Sequence, residues 1–288
     1  MDDGMLPSES GYIGARDPHE ADRLAAQAAG GLAELRAALA LHSVTPSARV
    51  LELGCGAGIF TRALLTALPG ATITATDRDS ALLASARSSL ADAVRAGRLA
   101  FAQADAANLP YPARGFDLVV CRCLLMHQPD PLLVAAEMFR VVEVGGVALA
   151  IEPDWGARAL YPDPEAMTEL LDLARHARSY GFPDLQVGRK LFALFRAAGF
   201  TQVRIQPVTF SETANDRGAP VDLEGAAPTG PARLIEQGRP MLRQAGADDA
   251  QLDTLIQRLE AIPRHPEYFS AGLDFAAAAI KPAPSWPL

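Results

Sequence analysis

Three scarcities bound this chain before any motif is read. Cys55, Cys121 and Cys123 are the only cysteines in 288 residues. They are too few for a disulfide framework and lack the paired C-x-x-C spacing of a structural zinc site, so a reducing, cytoplasmic setting is expected and no metal. No apolar run approaches the ~20 residues that span a bilayer, and the first ten residues, MDDGMLPSES, are acidic and polar where a secretory leader is basic and then apolar. Cations are in deficit, with 26 Lys and Arg against 34 Asp and Glu and a net charge of -8. Scattered singly, they form no basic stripe for a phosphate backbone. The expected partner is a small molecule, with neither nucleic acid nor membrane; association as a homodimer is left open.

What is present is an alternation of strand-like and helix-like segments. RVLEL (49 to 53), TITAT (72 to 76), LAFAQA (99 to 104), FDLVVCR (116 to 122) and VALAIE (147 to 152) read as short, nearly continuous apolar strands. Helical patterns lie between them, at 59 to 68, 80 to 96 and from Asp130-Pro131, a cap followed by proline at the first helical position. Asp17-Pro18 and Asp163-Pro164 open others in the same way, and 188 to 199 is a further helix. TQVRIQPVTF (201 to 210) and GLDFAAAAI (272 to 280) read as late strands. Such alternation predicts an α/β fold, a mostly parallel sheet with helices on both faces, in which ligands sit at the carboxyl ends of the strands beside the topological switch point.

The stretch VLELGCGAG, Val50 to Gly58, falls at that point. A P-loop is excluded, because no Gly-Lys-Ser/Thr follows the glycines. A dinucleotide site finds an acid, Asp77, about the expected ~20 residues on. Against it, the third glycine of G-x-G-x-x-G would fall on Ile59, and Glu52 brings negative charge toward a pyrophosphate. S-adenosylmethionine has a ribose for Asp77 and a tail that is cationic in sum, so Glu52 is attractive there.

VLELGCGAG, ATDRD, QADAANLPY, FDLVVCRCLLMHQPDP and VVEVGGVALAIEPD, in that order, resemble the motif series of class I S-adenosylmethionine-dependent methyltransferases over about residues 48 to 154. The resemblance implies a Rossmann-like fold with a seven-stranded, mostly parallel sheet and a cofactor that leaves as S-adenosylhomocysteine. It implies that Gly54, Gly56 and Gly58 line the methionine side, Asp77 with Arg78 beside it takes the ribose hydroxyls, Asp105 receives the adenine amino group, Ala106 touches the ring, and Cys121 offers its backbone. YIGARDPHEADRLAAQ resembles the N-terminal segment of many small-molecule methyltransferases, which assigns Tyr12 and Arg23 to the methionine tail.

The implied activity is methyl transfer to a small organic acceptor on O, N or C. Alignment of reactants contributes ~7 to 11 kcal/mol, against roughly 3 to 5 for a general base. Positioning dominates, and a base matters only if the acceptor must lose a proton. His127 and Glu152, at the ends of strands four and five, are the candidates. The rival readings are an S-adenosylmethionine-binding protein that transfers no methyl and an NAD-dependent oxidoreductase or epimerase. Plainer roles stand beside the chemical ones: Glu52 as a buried acid, His127 as a loop hydrogen-bonder, Cys121 and Cys123 as small core residues. The expected organisation is an N-terminal helical segment over the cofactor (1 to 45), the cofactor-binding core (46 to 210), a helical cap over the acceptor (211 to 267), and a closing strand with tail (268 to 288).

Overall fold

The computed structural model describes residue 32, residues 35–217 and residues 230–284. Tyr12, Arg23 and the Asp17-Pro18 helix start lie outside them. Seven strands form one open sheet: β1 (Arg49–Leu53), β2 (Thr72–Asp77), β3 (Leu99–Gln103), β4 (Phe116–Arg122), β5 (Val142–Tyr161), β6 (Thr201–Thr213) and β7 (Phe269–Ile280), in the order β3-β2-β1-β4-β5-β7-β6. Strands β1 to β5 are parallel, and β7 runs antiparallel to both β5 and β6. The order reverses between β1 and β4, which places the switch point at the end of β1, where the glycines follow.

Both faces are covered, and strand parity divides the core. Val50, Ile73, Leu118 and Leu149 face helices α1 (Ile59–Ala67) and α2 (Ser80–Ser89). Leu51, Leu53, Val119, Cys121 and Ala150 face α4 (Pro131–Val141), α5 (Pro164–Ala177) and α6 (Leu191–Ala197). The short helix α3 (Ala91–Arg95) follows α2 after a break at Leu90, whose φ of -118° leaves helical space, so the single helix expected from 80 to 96 is two. The Asp-Pro starts form as read, with Asp130 accepting from the Leu132 amide and Asp163 from that of Ala166.

Two departures matter for the site. Strand β5 is far longer than the expected 147 to 152, because β7 pairs along it from Val147–Ile280 to Asp154–Leu273 and again from Ala159–Ala271 to Tyr161–Phe269. A register shift between the two runs, from Asp154 to Ala159, absorbs Gly156. Second, α7 (Gly230–Gln244) and α8 (Asp249–Ala261) have a definite partner in the core. They pack on each other and on α5, and Leu234, Ile235, Leu242, Leu252 and Leu255 join the same core cluster as the sheet. Arg258 ties α8 to Asp163 and Glu169. An apolar helical face needs burial, and the open flank of α5 supplies it.

Candidate functional site

At the carboxyl ends of β1, β2 and β4 lies a cavity of about 410 Å³, within the range of small-molecule sites. One end is built by the loop after β1. Gly54 has φ +68°, and a Cβ there would stand 2.8 Å from Leu124 Cδ1, so glycine is required twice over. Gly56 and Gly54 line the cavity; a Cβ on Gly56 would meet nothing within 4 Å, which leaves backbone bare against open space. Gly58 does not line it. Its close neighbours are Ala86 and Leu90, so its role is to let α1 approach α2.

The loop amides are already engaged. The Cys55 N–H donates to Thr76 O at 2.9 Å, the Gly58 N–H to Cys55 O at 2.9 Å, and the Gly56 N–H to Asp77 Oδ2 at 2.8 Å. Asp77 Oδ1 accepts from the Asp79 N–H at 2.9 Å. A phosphate cradle needs its amides free to point at the anion. This loop spends those of Cys55, Gly56 and Gly58 on the protein and presents a carboxylate instead. Asp77 lines the cavity, and each of its oxygens can accept a further hydrogen bond, which suits hydroxyl donors such as those of a ribose. Asp105, at the end of the β3 loop, is bridged to Asn108 and accepts from the Ala107 N–H at 2.9 Å. Arg78, Asp105 and Ala106 all line the same cavity. The donor set, two carboxylates and bare glycine backbone, fits an adenosyl group and does not fit a pyrophosphate.

Three expected residues stand elsewhere. Glu52 does not line the cavity. It is 1% exposed, neither carboxylate oxygen has a hydrogen-bond partner among the described residues, and burial raises its pKa to about 8, with the Thr61 hydroxyl opposing the rise and the Asp77 charge adding to it. At neutral pH it is a protonated acid behind the loop. Cys121 is buried in the core, its thiol pushed up by burial and by Glu152; Arg122, Cys123 and Leu124 line the cavity in its place, because only residues at and beyond the end of β4 clear the sheet. Glu152 is 0% exposed and does not line the cavity either. Its carboxylate accepts from the backbone N–H groups of Leu124, Leu125 and Met126, so it is no base for a bound acceptor.

His127 does face the cavity, on a 3₁₀ turn, Leu125–His127. Burial, followed by the charges of Arg78 and Arg178, lowers its pKa to about 4, so the ring is neutral at physiological pH. The cavity lining also includes residues with no local sequence signal: Phe60 from α1, Trp155 from β5, Phe210 from β6 and Asp274 from β7. The Arg158 guanidinium lies 5.4 Å from the Phe210 ring centre and 6.0 Å from that of Trp155, a cation–π bridge between the two walls. Behind Trp155, Asp154 is 2% exposed and clasps Arg189 through two hydrogen bonds of 2.6 and 2.8 Å. Only the antiparallel ladder of β5, β7 and β6 brings Trp155, Phe210 and Asp274 together.

Comparison with known proteins agrees with this geometry. Residues 51–150 match the family model described as a methyltransferase domain. The ubiquinone/menaquinone biosynthesis C-methyltransferase UbiE of Ectopseudomonas mendocina is 35% identical over 129 residues, 43% of this chain and 49% of that protein. A ubiquinone biosynthesis O-methyltransferase of Pseudomonas putida is 40% identical over 100 residues, 34% of this chain and 41% of that protein. The chain thus spans about half, or less, of the length of these curated relatives. Among solved structures, phosphoethanolamine N-methyltransferase 2 of Haemonchus contortus, in complex with phosphomonomethylethanolamine and S-adenosylhomocysteine, superimposes with a TM-score of 0.52 at 18% identity, covering 85% of this chain and 51% of that one. The glycine loop, Asp77 and Asp105 all fall in or at the ends of strands within the matched segment. Residues 51–150 thus resemble a methyltransferase domain, and the sheet around them has the fold of solved methyltransferase structures.

Proposed function

We propose that this chain transfers a methyl group from S-adenosylmethionine to a small organic acceptor, on O, N or C. The observation that carries the reading is that one cavity joins two ends: the glycine loop with Asp77 and Asp105, and, facing them, His127 with the Trp155 and Phe210 walls. The C- and O-methyltransferase names of the relatives support it.

On this reading Asp77 receives the ribose hydroxyls, Asp105 the adenine amino group, and the backbone of Gly54 and Gly56 lies along the methionine side. When bound, S-adenosylmethionine supplies an electrophilic methyl on a sulfonium. The protein supplies placement and dryness. Trp155, Phe210, Met126 and Phe60 give an apolar surface that excludes water from the acceptor, and holding two reactants in line is the larger part of the rate. Where the acceptor is a hydroxyl, the neutral His127 ring accepts its proton. With a pKa near 4 it is a weak base, and it serves because the hydroxyl grows acidic only as the new bond forms.

The four-part division of the chain is kept as a proposal with one change: the helices between β6 and β7 pack into the core. The small number of cysteines supports a cytoplasmic setting. No helix among the described residues is long and apolar enough to cross a membrane. Incubating the protein with methyl-labelled S-adenosylmethionine and metabolite extracts, read by mass spectrometry, tests the reading. A labelled small molecule is expected; binding of NAD in calorimetry, with no binding of S-adenosylhomocysteine, would overturn it.

A further inference from the structure

Glu152 has no part in the chemistry above, yet its geometry is specific. Oε1 accepts from the N–H groups of Leu124 at 2.8 Å and Leu125 at 2.7 Å, and Oε2 from that of Met126 at 3.3 Å. Three successive amides aimed at one acceptor are what the start of a helical turn leaves unsatisfied, and here the turn is Leu125–His127. A wholly buried side chain from the neighbouring strand thereby caps it.

The residues so held line the cavity at both ends. Met126 and His127 face the acceptor side. Leu124 reaches the other way, and its Cδ1 lies 2.8 Å from where a Gly54 Cβ would stand, so its side chain covers the start of the glycine loop. The rear of the turn has its own restraints: the Asp184 N–H donates to Met126 O at 2.8 Å, and Arg178 donates to Gln128 O. Its amino end is held by Glu152.

We infer that Glu152 is a positioning residue, whose carboxylate fixes the turn of residues 124 to 127 and through it sets both the lie of the His127 ring and the Leu124 cover on the glycine loop. The inference rests on the methyl-transfer reading only for what the cavity binds. Burial raises the carboxyl to about 7, with the three amides and the Arg122 charge opposing the rise. Oε1 accepts from both Leu124 and Leu125, so the turn is capped whether or not Oε2 carries a proton.

The test uses the full chain labelled with ¹⁵N-histidine. Glu152→Gln keeps the shape and one accepting oxygen but sets an amide NH₂ against the Met126 N–H, and Glu152→Asp withdraws the carboxylate by one methylene. The ring of His127, assigned by the loss of its signal in His127→Ala, titrates near pH 4 in the wild type. Its midpoint is expected to rise by at least one pH unit in both Glu152 variants, as the turn loosens and water reaches the ring. S-adenosylhomocysteine affinity should fall three- to tenfold in the same variants. Leu124→Ala leaves Glu152 and its amides in place. It should weaken S-adenosylhomocysteine binding to a similar degree without moving the His127 midpoint. A folded Glu152→Gln protein with the wild-type midpoint overturns the inference. If S-adenosylhomocysteine fails to bind the wild type, the functional reading falls, and the His127 midpoint still decides the role of Glu152.

Discussion

Replacing Glu52 with glutamine should change the pH dependence of stability more than stability itself. In the native state burial holds the acid protonated up to about pH 8, whereas in the unfolded chain it ionises near 4.5. Between those values the native state binds the extra proton, so stability is full below pH 4.5 and is lost as pH rises toward 8. Each pH unit in that window costs about 1.4 kcal/mol, which gives about 3 kcal/mol at pH 7 and a plateau of about 5 kcal/mol above pH 9. Glutamine has the same shape and no proton to lose, so its slope from this site is zero. Its buried amide carries a fixed penalty of about 1 to 3 kcal/mol, independent of pH. Urea unfolding of both proteins at pH 5, 6, 7, 8 and 9 separates the two effects. The difference should start near zero or unfavourable to Glu52→Gln at pH 5 and swing in its favour by several kcal/mol at pH 8. Glu152, raised to about 7 by burial, adds a slope of the same sign in both proteins and cancels in the difference. Two parallel stability curves would show that Glu52 is not a buried neutral acid.

Asp77→Ala should weaken S-adenosylhomocysteine binding at least tenfold in calorimetry, since two hydrogen bonds to a charged group contribute about 1.5 to 3 kcal/mol each; unchanged affinity would detach Asp77 from the ligand. It should also lower the melting temperature, because the Gly56 and Asp79 amides lose their acceptor. For a hydroxyl acceptor, His127→Ala should slow turnover ~10²- to 10⁴-fold with cofactor affinity nearly unchanged. The wild-type rate should show no inflection near pH 6.5, because the ring gains its proton only near pH 4; an inflection at 6.5 that vanishes in the variant would refute the lowered pKa. Gly238→Ala would bring a Cβ to 2.2 Å from the Phe182 ring and should destabilise the fold by about 1 to 3 kcal/mol in denaturant titration, which tests whether α7 is part of the core.

The sequence pointed to one end of the cavity and not to the other, for a physical reason. Gly54, Gly56, Asp77 and Asp105 sit at strand termini within one parallel layer, where local pattern and position coincide. Glu52 and Cys121 were one step off. Both lie within strands of a sheet covered on both faces, where parity aims Glu52 with Val50 toward α1 and Cys121 with Val119 toward the opposite core. Trp155, Phe210 and Asp274 stand more than fifty residues apart in sequence, and only the ladder that continues past Pro153 sets them side by side. The helices between β6 and β7 were legible as helices; their partner, the open flank of α5, was not.

That ladder has an evolutionary consequence. In many enzymes specificity diverges through loops, which accept insertions and deletions cheaply. Here Phe210 and Asp274 project from paired strands of the main sheet, and one inserted residue would reverse which face every following side chain presents. Descendants of this protein that take new acceptors should therefore differ by substitution at positions such as 155, 158, 210 and 274, with strand lengths preserved, and the inventory of acceptors open to the lineage is set by which side chains those few sites can exchange.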